Sequence, residues 1–183
     1  MLKRIVVIGP ESTGKSTLCG MLAQHFGTDW CPEFAREYLL THGTDYSFDD
    51  LLTIAKGQLA MEDEYAEKAG RAADAGQAPA LFIDTDMYVM KVWCEFVFGN
   101  CHSWIIDRIV ERTYDLYLLC NTDLPWVRDE LREYPDLVTR ETLYRMYEDL
   151  IINQSTPWVL IQGADPEERF NTALRAVEEL LRR

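Results

Sequence analysis

The stretch IVVIGPESTGKS, residues 5–16, decides the fold of this chain. Four apolar residues at 5–8 predict a buried strand, and the glycine-rich run from Gly9 to Ser16 follows it directly. A helical pattern begins at Lys15. A strand, a G-x-x-x-x-G-K-S loop and a helix, in that order, are the context that a phosphate-binding P-loop requires.

The chemistry of the loop explains these residue types. Its two glycines allow the backbone to wrap closely around an anion, and the amides of the loop and of the following helix attract phosphate. Lys15 is expected to reach the β- and γ-phosphate oxygens, and the hydroxyl of Ser16 is expected to bind Mg²⁺. The residues predicted to bind the nucleotide are Gly9, Glu11, Ser12, Thr13, Gly14, Lys15, Ser16 and Thr17.

Length and charge limit the class of protein. A chain of 183 residues suits one domain, with apolar residues at 48% sufficient for a sizeable core. A formal net charge of −13 argues against a nucleic-acid-binding surface, which relies on basic patches. No apolar run reaches transmembrane length, and the five cysteines show no metal-site spacing. We expect a cytoplasmic protein with reduced thiols that binds neither nucleic acid nor membranes.

Apolar patterning predicts strands that alternate with helices along the whole chain. The predicted strands are 2–8, 29–31, 80–83, 115–121 and 158–162, and the predicted helices are 15–26, 34–40, 48–75, 87–98, 104–112, 143–153 and 166–181. Such alternation indicates an α/β fold with a parallel sheet covered on both faces. The residues that follow each strand should therefore converge on one crevice at the carboxyl edge of the sheet.

Two carboxylates follow the third predicted strand. Asp84 stands where a carboxylate would hold Mg²⁺, and Asp86 lies just beyond it. One of the two could act as the base that accepts a proton from a substrate hydroxyl, and the spacing does not say which. Asp86 could instead cap the helix that starts at Met87.

Three groups near the predicted crevice suit an acceptor substrate. Arg36 could orient a phosphate and Glu33 could bind ribose or base hydroxyls, although both could form an ordinary solvated ion pair at a helix start. Tyr88 or Trp93 could stack on a cationic ring.

Four arginines stand out between residues 124 and 145 of this acidic chain. Arg128 and Arg132 are expected on a mobile lid that closes over the transferring phosphoryl group. For Arg140 and Arg145, a lid role and helical ion pairing, for example of Arg145 with Glu141, are equally open. We expect one domain over residues 1–183, with the lid at about 124–142.

Four motifs carry a resemblance to a known family. The segments GPESTGKST at 9–17, PEFAREY at 32–38, FIDTD at 82–86 and DLPWVRDELR at 123–132 resemble the ribosylnicotinamide kinase domain of NadR-type proteins. Glu130 stands where that family usually has a glycine.

The resemblance implies a definite fold and activity. The fold would be a three-layer P-loop kinase with a central parallel sheet and a helical lid. The activity would be ATP- and Mg²⁺-dependent phosphorylation of nicotinamide riboside to its mononucleotide. Two alternatives stay open at this point: another nucleoside or nucleotide kinase, and a regulatory P-loop ATPase that acts on a protein partner.

Overall fold

A computed structural model describes residues 1–182 of the chain. Its five strands form one parallel sheet in the order β2-β3-β1-β4-β5. The strands are β1 (Lys3–Ile8), β2 (Trp30–Cys31), β3 (Ala80–Asp84), β4 (Leu116–Cys120) and β5 (Trp158–Ile161). The helices are α1 (Lys15–Phe26), α2 (Phe34–His42), α3 (Phe48–Asp74), α4 (Met87–Phe98), α5 (Ser103–Glu111), α6 (Leu137–Ile152) and α7 (Pro166–Arg182).

Helices cover both faces of the sheet, as the near-continuous burial of its central strands requires. On one face α1 and α7 pack against the sheet through residues such as Leu22 and Val177. On the other face α3, α4 and α6 contribute residues such as Val92 and Ile151. These three layers confirm the predicted α/β fold class with its central parallel sheet.

The strand order places a crevice beside β1. In the sheet β1 lies between β3 and β4, and the chain builds β2 and β3 on one side of β1 before it crosses to β4 on the other, so the loops after these strands separate at their carboxyl ends. Ligands bind at such a switch point in open parallel sheets. The G-x-x-x-x-G-K-S loop lies there because it follows β1.

Helix α6 begins earlier than the sequence pattern predicts. The expected start was residue 143, whereas the helix starts at Leu137 and Asp136 caps it by accepting a hydrogen bond from the Thr139 amide at 2.7 Å. The predicted lid at 124–142 therefore includes the first turn and a half of this helix. We call residues 124–136, which precede α6, the lid loop.

A capping box fixes the start of α3. The amide of Asp50 donates to Ser47 Oγ at 3.3 Å, and the amide of Ser47 donates to Asp50 Oδ2 at 2.8 Å. Tyr38 of α2 also donates its hydroxyl to Asp50 Oδ1 at 2.6 Å. These hydrogen bonds, with that from Tyr38 the strongest, lower the pKa of Asp50 from 3.8 to about 2.

Asp50→Asn should therefore change the pH dependence of stability. A carboxylate with a lowered folded pKa stabilises the native state above its unfolded value, and this stabilisation is lost as pH falls through the folded value. Urea unfolding should show the variant less stable than the parent at pH 6, with the difference shrinking between pH 4 and pH 2. Asp49→Asn, in the same helical turn, is the matched control. An equal pH profile for both variants would contradict the assignment.

Among the described residues, no helix is both long enough and apolar enough to cross a membrane.

Candidate active site

The loop after β1 turns tightly enough that only glycine fits at its first position. Gly9 has φ of +141°, and a Cβ there would lie 2.6 Å from the carbonyl oxygen of Cys120. Gly14, with φ of +79°, stands at the N-cap of α1 without a side-chain acceptor for the first amides of the helix. Uncapped amides at a helix N-terminus are a ready anion site.

The cavity above this loop has a volume of about 430 Å³. Every residue from Gly9 to Thr17 lines it, as does Asp84 at the end of β3. The eight residues predicted to bind the nucleotide are thus brought together in the structure, on one wall of this cavity. Lys15 lies among them, and its Nζ donates a hydrogen bond to the carbonyl oxygen of Pro10 at 3.0 Å.

Two buried arginines hold the back of the loop. Arg140 of α6 donates to the carbonyl oxygens of Ser12 at 3.3 Å and Leu124 at 3.1 Å. Arg169 of α7 donates to the carbonyl oxygen of Thr13 at 2.8 Å. Both guanidinium groups donate to carbonyl oxygens of the glycine-rich loop, so each helps to fix the backbone conformation of that loop.

These contacts change the role expected for Arg140 and identify Arg169 as a further residue that supports the site. Arg140 does not line the cavity as an arginine that closes over a phosphoryl group would, and it forms no helical ion pair among residues 1–182, because its side chain is buried against the glycine-rich loop. One signal in the sequence was available: Asp136 is a favoured N-cap residue, and a helix that starts after it includes Arg140. Nothing in the sequence singled out Arg169, which is 4% exposed. Arg145, also on α6, does not line the cavity.

Asp84 and Ser16 meet at the floor of the cavity. The hydroxyl of Ser16 donates to Asp84 Oδ2, and Oδ1 of the same carboxylate is buried without a hydrogen-bond partner among the described residues. Burial raises the pKa of Asp84, against the opposing effect of the Lys15 ammonium. An unpartnered carboxylate oxygen beside a serine hydroxyl fits the oxygen ligands that Mg²⁺ prefers.

Asp86 and Tyr88 lie outside the cavity wall. Oδ1 of Asp86 caps α4 by accepting from the amides of Tyr88 at 3.0 Å and Val89 at 3.2 Å. Its Oδ2 accepts from the hydroxyl of Tyr117 at 2.9 Å. Of the two roles considered for Asp86, the structure shows the cap. The ring of Tyr88 packs against that of Tyr117, with ring centroids 5.7 Å apart, and does not reach the cavity as a stacking surface would.

The other half of the cavity is aromatic and acidic. Trp93 and Phe96 of α4 line it. Glu33, which precedes α2, and Glu133 of the lid loop add carboxylates, and Arg36 adds a guanidinium. Burial, and then the charge of Asp84, raises the pKa of Glu33. The predicted residues Glu33 and Arg36 are therefore brought to the same cavity as the loop.

The lid loop forms hydrogen bonds with Glu11 and Ser12, which occupy x positions of the G-x-x-x-x-G-K-S motif. Glu11 Oε1 accepts hydrogen bonds from Trp126 Nε1 at 2.9 Å and from the Tyr134 amide at 2.7 Å. Its Oε2 accepts from the Glu133 amide at 2.9 Å. Ser12 Oγ accepts from the amide of residue 127 at 2.9 Å. The carboxylate of Glu11 therefore holds the lid loop over the cavity, a role that the motif does not reveal.

Glu11→Gln should loosen the lid loop. The amide substitution leaves one acceptor oxygen and turns an NH₂ group toward N–H donors, so at least one hydrogen bond is lost. Hydrogen exchange at residues 126–134 should accelerate by about 5- to 30-fold, the range expected for losing 1–2 kcal/mol of local stability. Glu37→Gln, at an exposed position of α2, is the control. Unchanged exchange in the lid loop would contradict this role of Glu11.

The two predicted lid arginines occupy different places. Arg132 lines the cavity and donates from Nη1 to the carbonyl oxygen of Val127 at 2.5 Å. Arg128 is exposed and does not line the cavity in this conformation. Only Arg132 is thus placed where it could meet a phosphate without rearrangement of the lid loop.

The parallel sheet, the glycine-rich loop and the carboxylate at the end of β3 together define a P-loop protein. A family model described as an AAA domain matches residues 4–169, and the chain belongs to this family.

Named relatives support the resemblance that the motifs predicted. The chain is 29% identical to the trifunctional NAD biosynthesis/regulator protein NadR of Salmonella typhimurium and 28% identical to that of Escherichia coli, in each case over 98% of its length. It spans 43% of each of these relatives. The predicted resemblance to NadR-type proteins is therefore confirmed.

Solved structures support the fold. A crystal structure of a NadR protein in complex with NR matches all of this chain and 50% of that chain, with a TM-score of 0.80 and 21% identity. A thymidylate kinase from Ehrlichia chaffeensis matches 97% of this chain and 98% of that chain, with a TM-score of 0.63 and 14% identity. The fold is thus that of P-loop kinases.

Proposed function

We propose that the chain transfers the γ-phosphoryl group of ATP to a ribonucleoside, and that this ribonucleoside is nicotinamide riboside. One observation carries the proposal: a single cavity joins the glycine-rich loop to an aromatic and acidic half. A phosphoryl donor and an acceptor can therefore meet without crossing solvent. Residues 1–183 would act as one kinase domain, with the lid at 124–142.

The polyphosphate would occupy the half formed by the glycine-rich loop. Backbone amides at the start of α1 and the ammonium of Lys15 would neutralise charge on the phosphates, which is the main requirement of phosphoryl transfer. Arg132 lies on the same cavity wall and would add a second cation once its contact with Val127 is exchanged for phosphate. Arg128 would join it only after the lid loop moves.

Magnesium fits the pair formed by Ser16 and Asp84. When bound, the ion would neutralise charge on the phosphate oxygens. The unpartnered Asp84 Oδ1 and the hydroxyl of Ser16 supply oxygen ligands of the kind it needs. A chelator should therefore abolish transfer, and added Mg²⁺ should restore it.

The acceptor would occupy the aromatic half. A cationic pyridinium ring is favoured beside Trp93 and Phe96, because aromatic faces attract cations, and the nearby carboxylates add to this attraction. Glu33 lines the cavity near enough to Asp84 for their charges to interact, and its carboxylate could accept a hydrogen bond from a ribose hydroxyl. Because Asp86 caps a helix, Glu33 and Asp84 are the sequence-predicted carboxylates that line the cavity and would orient the attacking hydroxyl.

The similarity to NadR supports this assignment of substrate. The NadR crystal structure contains NR, and a second NadR structure, which matches this chain with a TM-score of 0.71, contains NAD and AMP-PNP. NR and AMP-PNP are thus ligands of NadR proteins, half of whose chain matches this fold.

A nucleoside panel tests the proposal. The chain is incubated with ATP, Mg²⁺ and equal concentrations of nicotinamide riboside, adenosine, cytidine, uridine and thymidine, and the products are separated by mass. We expect the nicotinamide mononucleotide to dominate. Phosphorylation of another nucleoside alone would overturn the choice of substrate, and ATP hydrolysis that no nucleoside affects would favour a regulatory ATPase.

A further inference from the structure

Arg36 lines the same cavity as the aromatic and acidic residues that form its acceptor half, yet its guanidinium is already engaged. Its Nη1 donates to Asp129 Oδ1 at 3.2 Å, and its Nη2 donates to Asp129 Oδ2 at 3.0 Å. This is a bidentate pair, the geometry in which arginine also binds phosphate. Asp129 therefore occupies the groups of Arg36 that a substrate phosphate would need.

The ion pair between Arg36 and Asp129 contributes little to the stability of the fold. The side chain of Arg36 is 51% exposed and that of Asp129 is 22% exposed. Ion pairs this accessible to solvent contribute about 0–1 kcal/mol to folding. The consequence of the contact is therefore local: it joins α2 to the lid loop and removes a free guanidinium from the cavity.

The lid loop holds Asp129 in this position. Oδ1 of Asp129 also accepts a hydrogen bond from the amide of Leu131 at 3.1 Å, and the Asp129 carbonyl accepts from the amide of Arg132 at 3.2 Å. The carboxylate is thus part of a turn and is presented to Arg36 by the backbone. The pairing also lowers the pKa of Asp129, so this side chain stays charged at neutral pH.

The remaining charges near the acceptor half are unfavourable to an anion. Glu33, Asp84 and Glu133 line the cavity, and Glu133 accepts a hydrogen bond from Tyr46 at 2.9 Å. Among the cavity-lining residues, the cations other than Arg36 are Lys15, within the glycine-rich loop, and Arg132, on the lid loop. A phosphate monoester in the acceptor half would meet the carboxylates of Glu33 and Glu133 and an arginine that is already paired.

We propose that Asp129 determines specificity by occupying Arg36, so that the acceptor half rejects nucleosides that already carry a 5′-phosphate. The same contact would weaken binding of the product, a nucleoside monophosphate, and so favour its release. This inference rests on the proposed function, because it concerns the acceptor of that reaction.

The test compares binding of a nucleoside with binding of its 5′-monophosphate. Calorimetry on the full chain with Mg²⁺ and ADP would use nicotinamide riboside and nicotinamide mononucleotide, and then the adenosine, cytidine, uridine and thymidine pairs. Asp129→Asn should tighten monophosphate binding by about tenfold, the effect of one regained charge-assisted contact, and change nucleoside binding by less than about twofold. Adding Arg36→Ala to this variant should remove the gain.

Glu130→Gln is the matched control. It removes one carboxylate from the same turn, and Glu130 acts on Arg36 through its charge without a hydrogen bond. It should change monophosphate binding by less than about threefold. Equal gains in both variants would overturn the inference, because they would show a general charge effect. A gain that survives Arg36→Ala would overturn it as well.

Failure of this inference differs from failure of the proposed function. If nicotinamide riboside is phosphorylated and Asp129→Asn leaves the preference for nucleosides unchanged, only the role of Asp129 is overturned. If another nucleoside is the acceptor, the substrate proposal fails and the binding ratio for that nucleoside decides the role of Asp129. If no pair binds to any variant, both proposals are overturned.

Discussion

Lys15→Ala is expected to lower phosphoryl transfer by about 10²- to 10³-fold, the effect of removing one charged group that acts on the transition state. Lys15 lies in the wall of the cavity, and its Nζ is held by the carbonyl oxygen of Pro10 at 3.0 Å. Lys15 lines the cavity at the start of α1 and is not one of the buried core residues, so its truncation should leave the fold intact. Steady-state rates with saturating nicotinamide riboside give the measurement.

The control for this substitution is Lys68→Ala. Lys68 also forms an ion pair, with Asp29 at 2.7 Å, but its side chain is 62% exposed and lies outside the cavity. Its loss should leave turnover within about twofold of the parent, as surface substitutions usually do. Retention of most activity by Lys15→Ala, with a normal unfolding transition, would refute the assignment of the glycine-rich loop as the phosphate site.

Asp84→Asn is expected to lower turnover by about 100-fold or more while leaving the fold at least as stable. The reason is that the carboxylate is 1% exposed and its Oδ1 has no hydrogen-bond partner among the described residues. Burial raises the pKa of Asp84, so its charge costs free energy in the absence of a cation. A neutral amide of the same shape removes that cost together with one of the oxygen ligands proposed for Mg²⁺. Turnover and the urea midpoint would be measured on the same preparation.

Asp86→Asn distinguishes the role of Asp86 from that of Asp84. Asparagine caps helices as well as aspartate does, and its NH₂ group can donate to the oxygen of Tyr117, so the substitution should preserve α4. We expect turnover to fall by no more than about tenfold. A loss in Asp86→Asn that matches or exceeds the loss in Asp84→Asn would show that Asp86 reaches the reaction, contrary to its place as a helix cap.

The sequence pattern predicts the parts of the site that are local in the chain. The strand at β1, the glycine-rich loop and α1 follow one another without a gap, so residues 5–16 suffice to place them. The strand β3 ends in Asp84 as its apolar run indicates. Parallel pairing then brings both carboxyl ends to one edge.

The assignment of Asp84 and Asp86 depends on backbone geometry that the sequence does not show. Thr85 between them has φ of +81°, a conformation that threonine rarely adopts. This turn sends Asp86 to the start of α4, while Asp84 stays at the cavity. The spacing of two residues alone allowed both side chains to face the substrate.

Contacts between distant segments could not be predicted. Glu11 and Trp126 are 115 residues apart in the sequence, and Arg36 and Asp129 are 93 apart. Both pairs depend on how the lid loop folds back over the glycine-rich loop. The sequence named Glu11 as a nucleotide ligand and Arg36 as a substrate ligand, and the structure shows that both also form hydrogen bonds with the lid loop.

The stoichiometry of transfer tests the central claim, that one cavity brings ATP and a nucleoside together. The chain is mixed with ATP, Mg²⁺ and nicotinamide riboside, and ADP and the mononucleotide are quantified over time in the same samples. The account predicts that the two products form in equal amounts and that ADP formation depends on the riboside. Formation of ADP at an undiminished rate without the riboside, with no mononucleotide detected, would contradict it.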